Sequence, residues 1–219
     1  MKNNKSLAST VVVLFVIVGL MQVGTLFFSF REIQELSNHN IEGAYSSIYE
    51  YQNRMRGIEV YAFLSNLIEI AAYVTFLCWF YNAYANLKKA GISYVSHSNS
   101  YAVWAWIIPI MNLFKSFQLT KEVVDKSQNR IMELNQGYLP QNLNKSINTC
   151  WIVVVIHFVL SIGIFIWGMN KNTFEAGILI MQLGGVLNMV MIFITLLLAF
   201  IVYKVSKIEE HLFQVTNNS

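Results

Sequence analysis

A chain of 219 residues is long enough for one domain or two small ones. Only 12% of it is charged and 55% is hydrophobic, about half the charge of a soluble domain, and the mean hydropathy is +0.47. A water-soluble fold of this length has too little interior for that much apolar surface, a disordered chain has the opposite composition, and two cysteines exclude a disulfide scaffold or a four-cysteine zinc site.

The sequence therefore predicts an all-α integral membrane protein, a single membrane domain over 1–219. A crossing helix needs about 20 apolar residues. The first such stretch, 7–30, carries no charge. Lys2 and Lys5 precede it as in a signal peptide, but it is longer than an h-region and no A-x-A site follows, so a retained span is expected. In the loop after it, Ile41, Tyr45, Ile48 and Met55 recur at helical spacing. The next helix is expected to begin outside the bilayer, after a turn at Ser37-Asn38-His39-Asn40.

The second span is 60–87, interrupted by Glu69. A long connection follows, opening on the polar stretch 93–100. The apolar run 101–114, with Pro109 inside it, is too short to cross and suits a re-entrant or interfacial segment. An amphipathic cytoplasmic helix is expected over 112–134, with Phe117, Val124, Ile131 and Leu134 along one face and Gly137 and Pro140 as stop signals. It suits either the membrane interface or packing against the ends of the spans. The third span, 150–170, contains His157 and is bracketed by Trp151 and Trp167, about 24 Å apart along a helix, as an aromatic belt requires. The fourth, 176–203, is uncharged. Gly177 and the Gly184-Gly185 pair permit close helix approach without forming a G-x-x-x-G motif.

Basic residues set the orientation. With four spans, one side holds Lys2, Lys5, Lys88, Lys89, Lys115, Lys121, Lys126, Arg130, Lys145, Lys204 and Lys207. The other holds Arg31, Arg54, Arg56 and Lys171 together with six glutamates. The positive-inside rule places both termini in the cytoplasm. A fifth crossing at 101–114 would destroy that asymmetry.

One stretch resembles a known family. Phe76-Leu77-Cys78-Trp79-Phe80-Tyr81 is followed by Asn86-Leu87, then by Trp104-Ala105-Trp106-Ile107-Ile108-Pro109-Ile110-Met111-Asn112-Leu113. This is similar to the bacterial membrane-protein family of domain of unknown function 4328, with its Trp-x-Tyr, Asn-Leu and Ile-Pro-x-x-Asn-Leu elements. Trp79, Tyr81, Asn86, Pro109 and Asn112 match that pattern and are structural candidates. Asn82 departs from it where a basic residue is usual, and Ser116-Phe117 where Pro-Tyr is usual. The resemblance covers about a quarter of the chain. It implies a multi-pass protein of the bacterial inner membrane and supplies no activity.

Ionisable groups within spans are costly and usually face protein or water. Glu69 and His157 lie near the middle of the second and third spans, and Gln22 and Asn188 at similar depths on the first and fourth. These four suit a proton or cation site, which would need an oligomer to enclose it. They suit interhelical hydrogen bonds of about 0.6 kcal/mol each rather better. Pro109 and Asn112 suit a kinked interfacial helix or a re-entrant turn. No catalytic motif occurs, and His39, His97 and His211 have no metal-ligand spacing. Cys78 and Cys150 both fall on the cytoplasmic halves of their spans, where a disulfide is disfavoured. The expectation is a non-enzymatic interaction or assembly module without cofactor, metal or nucleic acid, partnered by the bilayer and by itself or another membrane protein. A small oligomeric channel or transporter around Glu69 and His157 is the alternative, and an intramembrane enzyme using the same pair is a third.

Overall fold

The structure, a computed structural model, describes residues 1–38, 48–135, 137–169, 171 and 173–218. Its elements are all helices: α1 (Lys5–Asn38), α2 (Ile48–Lys89), α3 (Asn99–Ile107), α4 (Pro109–Leu134), α5 (Asn144–Gly168) and α6 (Phe174–Asn218). Among them α1, α2, α5 and α6 are long and apolar enough to cross a membrane, the expected four. The turn at 37–40 is not seen at its first half, since Ser37 and Asn38 still belong to α1. His39, Asn40, Ile41 and Tyr45 lie outside the described residues.

The helices overrun their apolar stretches. α2 has 42 residues and α6 has 45, about 63 and 68 Å at 1.5 Å per residue, against roughly 30 Å of hydrocarbon. In α6 the extension has a visible cause. Val205, Ile208 and Leu212 continue the buried stripe of Ile201 and Val202 past residue 203, so tertiary packing carries the helix on.

The spans form a row. α2 packs on α1, α1 on α6, and α6 on α5, while α2 and α5 are not among the packed pairs. Val11, Phe15 and Val18 of α1 and Ile194, Ala199 and Val202 of α6 are buried in this assembly. Of the expected glycines, Gly185 lies against α1, where a Cβ would meet Leu26 at 3.7 Å, and the tighter approaches fall on others. A Cβ on Gly24 would collide with the Tyr61 hydroxyl, and one on Gly168 would lie 3.1 Å from Ile180. Gly177 and Gly184 face open space.

α3 and α4 close the row at the end carrying Lys2, Lys88 and Lys207, called here the near end. α3 packs on α2, and α4 packs on α6, α5 and α2. α4 begins at Pro109 rather than 112. The residue before a proline is driven out of the helical region, and Ile108 is extended (φ −78°, ψ 118°). Proline is preorganised for the first helical position, so it starts α4 instead of interrupting it. Of the expected α4 face, Phe117, Val124 and Ile131 are buried and Leu134 is half-buried.

The turn after α2 needs a glycine: Gly91 has φ +79°, and Ile92 N–H reaches back to the Leu87 carbonyl at 3.2 Å, a left-handed C-terminal cap.

Candidate functional site

Among the described residues, the acidic side chain buried in the core is Glu209 on the α6 extension, 5% exposed. Helical spacing puts it there: it shares a stripe with Val202, Val205 and Leu212, all 1% exposed. Neutral amides surround its carboxylate. Asn4 Nδ2 donates to both oxygens at 3.4 Å, and Asn86 Nδ2 donates to Oε1 at 3.4 Å. Asn4 also donates to the Trp79 carbonyl at 3.0 Å. Asn86 forms a reciprocal pair with Lys2, accepting from its N–H at 3.0 Å and donating to its carbonyl at 2.9 Å. The Trp79 indole N–H is buried beside the same carboxylate without completing a hydrogen bond, and Asn4 Oδ1 is likewise unpartnered among the described residues. Lys5 and Lys207 are taken up by the neighbouring Glu210, at 2.6 and 3.4 Å. The cluster thus clasps the segment before α1 to α2 and α6.

A second cluster holds α4. Burial raises the Glu122 carboxyl, but hydrogen bonds from the Lys126 ammonium, Ser96 and the Tyr84 hydroxyl outweigh it and bring it down to about 2. Ser96 N–H donates at 2.8 Å and Tyr84 at 2.9 Å; Lys126 pairs with the same carboxylate and donates to the Tyr94 carbonyl. One turn on, Arg130 Nε donates to the Ala90 carbonyl at 3.0 Å. This latch fixes the loop between α2 and α3 against α4.

Of the four mid-span groups, the fold brings two together. Asn188 Nδ2 donates to the Gln22 carbonyl at 3.0 Å, and the Gln22 side-chain oxygen accepts from Thr195 Oγ1 at 3.2 Å. Glu69 and His157 lie on different ends of the row. Glu69 is half-buried, one turn from the buried Ser65 and Ala72 that mark the packed side of α2. His157 falls at helical spacing with Ile147, Cys150 and Val154 on α5. The two make no hydrogen bond or ion pair with each other among the described residues.

The motif residues divide. Trp79 (1% exposed) and Asn86 sit in the clasp, whereas Tyr81 is 43% exposed on another side of α2. Pro109 makes the break before α4, and Asn112 contributes its backbone, its N–H donating to the Ile108 carbonyl at 2.8 Å. Cys78 is exposed, Cys150 is buried, and both are free thiols. Asn4 and Glu209 were not singled out by sequence reasoning. The available signal was the acid on the apolar stripe of residues 202, 205 and 212.

An apolar cavity of about 10 Å³ lies between Phe76, Trp79, Phe80, Trp106 and Phe117, room for about one water. Among the described residues no group of three His, Cys, Asp or Glu side chains is placed to hold a metal.

Compared with known proteins, residues 54–207 match the model of the domain of unknown function 4328. No curated protein and no solved structure matches the chain.

Proposed function

Because the chain belongs to the domain of unknown function 4328 family, whose description names no activity, we propose a function from its geometry: a non-enzymatic, multi-pass membrane module that assembles laterally with a second copy or another membrane protein. The observation that carries this reading is where the polar groups go. Asn188 and Thr195 both bind Gln22, Asn4 and Asn86 both bind Glu209, and Glu122 binds its neighbours. Each set stitches helices together, and among the described residues none of these side chains lines the open cleft of about 270 Å³ between α4 and the segment before α5. Meanwhile α2 and α5, at the ends of the row, keep large apolar side chains exposed, among them Phe63 and Leu67 on one and Ile156 and Val159 on the other.

In this reading the near end faces the cytoplasm of a bacterial cell and the spans cross its inner membrane, as the eleven basic residues there support. α3 does not cross; at nine residues it covers about 14 Å. α4 packs its apolar face on the near ends of the spans. The pore alternative draws no support from a meeting of Glu69 with His157.

Photo-cross-linking from residues 67 and 156 in the membrane tests the assembly reading: defined adducts are expected, and adducts at neither position overturn it. Proton or cation flux into proteoliposomes that is lost in Glu69→Gln would replace it with the pore. For topology, Ser98→Cys and Lys145→Cys should react only from the cytoplasmic side; labelling from outside intact cells reverses that assignment.

A further inference from the structure

The break between α3 and α4 is tied high on its neighbours. The Trp106 carbonyl accepts from the Tyr73 hydroxyl at 2.6 Å, and the Trp106 ring lies 4.7 Å from Phe76 and 5.6 Å from Phe80, centroid to centroid. At the foot of α3, His97 N–H meets the Tyr84 hydroxyl at 3.2 Å, where Glu122 and Lys126 mark a charged level. From Tyr84 up to Tyr73 is eleven residues of α2, about 16 Å. The nine residues of α3 climb nearly that distance, and α4 comes back down, passing Glu122 on the way. The tip therefore stands about one leaflet of hydrocarbon, roughly 15 Å, above the charged level. Its side chains suit that place. Ile107, Ile108, Ile110 and Phe114 are exposed, Ile110 at 74%, and they continue into the exposed apolar side chains of α5, to which Trp151 joins the tip by donating to the Leu113 carbonyl. Irregular backbone at such depth must have its polar groups satisfied. Pro109 has no N–H to give, and Tyr73 supplies a donor at the break.

We propose that the Ile108–Pro109 elbow is seated among the acyl chains of the inner leaflet, with Ile107, Ile108, Ile110 and Phe114 as a built-in lipid-contacting surface. This rests on the orientation given under Proposed function. Lipid is the occupant because the surface is continuous with the apolar flanks of the spans, has no charge of its own, and lies at hydrocarbon depth. Lys115, directly after Phe114, marks the descent towards the headgroups.

The test uses the full chain in phospholipid vesicles, with an environment-sensitive fluorophore on Ile110→Cys in a Cys78→Ser, Cys150→Ala background. Phe114→Cys, one turn on, is the second position, and Asn142→Cys is the exposed control. The expected result is blue-shifted emission at 110 and 114, quenched by phosphatidylcholine spin-labelled on its acyl chain and insensitive to iodide. Iodide quenching equal to that at 142 overturns the proposal. Blue-shifted emission that neither quencher reaches also overturns it, and means that protein covers the elbow. Failure here is distinguishable from failure of the topology: in the latter, residues 98 and 145 react from outside; in the former they react from inside and only the elbow is wet.

Discussion

Glu209→Gln keeps the size and the acceptor of a side chain held only by neutral donors, so unfolding in mild detergent should show stability unchanged or raised. Glu209→Ala takes the carboxylate acceptor from the buried Asn4 and Asn86 amides, which keep only their backbone-carbonyl acceptors, and should cost about 1–3 kcal/mol. Asn4→Ala and Asn86→Ala should each cost a similar amount, and the double variant less than the sum, because both serve one carboxyl. Glu122 responds to pH with a definite sign. Its carboxyl is held at about 2 against an ordinary 4.5, so between those values the unfolded chain binds more protons than the folded one. The contribution is complete above about pH 4.5 and fades as pH falls towards 2. Thermal unfolding from pH 7 to pH 3 should show this acid loss in the wild type and a shallower one in Glu122→Gln. These residues were unequally legible. Hydropathy placed Gln22 and Asn188 at similar depths, and depth was enough because α1 and α6 are neighbours. For Glu69 and His157, depth and face say nothing about which helices adjoin. Glu209 was not singled out, because the apolar stretch stops at 203 while the packed stripe does not.

At the scale of elements, the α3–α4 elbow depends on contacts from α2. Tyr73→Phe removes the donor to the Trp106 carbonyl and should cost about 0.5–1.5 kcal/mol. Trp106→Ala empties the space between Phe76, Phe80 and Phe117 and should cost about 3–5 kcal/mol. In both variants, hydrogen exchange of residues 99–114 should rise before that of α1 and α6. Gly24→Leu should separate α1 from α2, since even a methyl group there would collide with Tyr61; a cross-link between cysteines placed on α1 and α2 would report the separation. The break at Pro109 was visible in the sequence, because proline chemistry is local. That the proline opens α4 follows from the extended backbone at Ile108, whereas the Tyr73 hydroxyl that satisfies the freed Trp106 carbonyl is a contact that pattern alone does not contain. The extension of α2 to Ile48 followed from periodicity, while that of α6 to Asn218 did not, since its stripe includes an acid.

For the whole molecule, span number was written in composition and length, whereas the order of helices in the row was not. Four apolar helices of similar character can be arranged in many ways, and the choice rests on a few specific contacts: Gln22 with Asn188 and Thr195, Tyr61 over Gly24, and Ile180 against Gly168. Gln22→Leu should therefore lower stability by only about 0.6 kcal/mol, yet it should loosen the α1–α6 pairing selectively, measurable as a cross-link yield between cysteines on those two helices.

That the first and last helices form the central pair also bears on the protein's manufacture. Gln22 and Asn188 are 166 residues apart, and at about 5–20 residues per second of translation α1 waits roughly 8–33 s for its principal neighbour to be made. Through that interval Val11, Phe15 and Gln22 have no α6 to lie against, and the Glu209 clasp does not yet exist. Until residues 174–218 are made, the chain can form the α1–α2 packing and the Glu122 latch but not the α1–α6 pairing or the Glu209 clasp, so a truncated chain ending at residue 171 should be cut by protease in the segment before α1 while the loop between α2 and α3 keeps its protection.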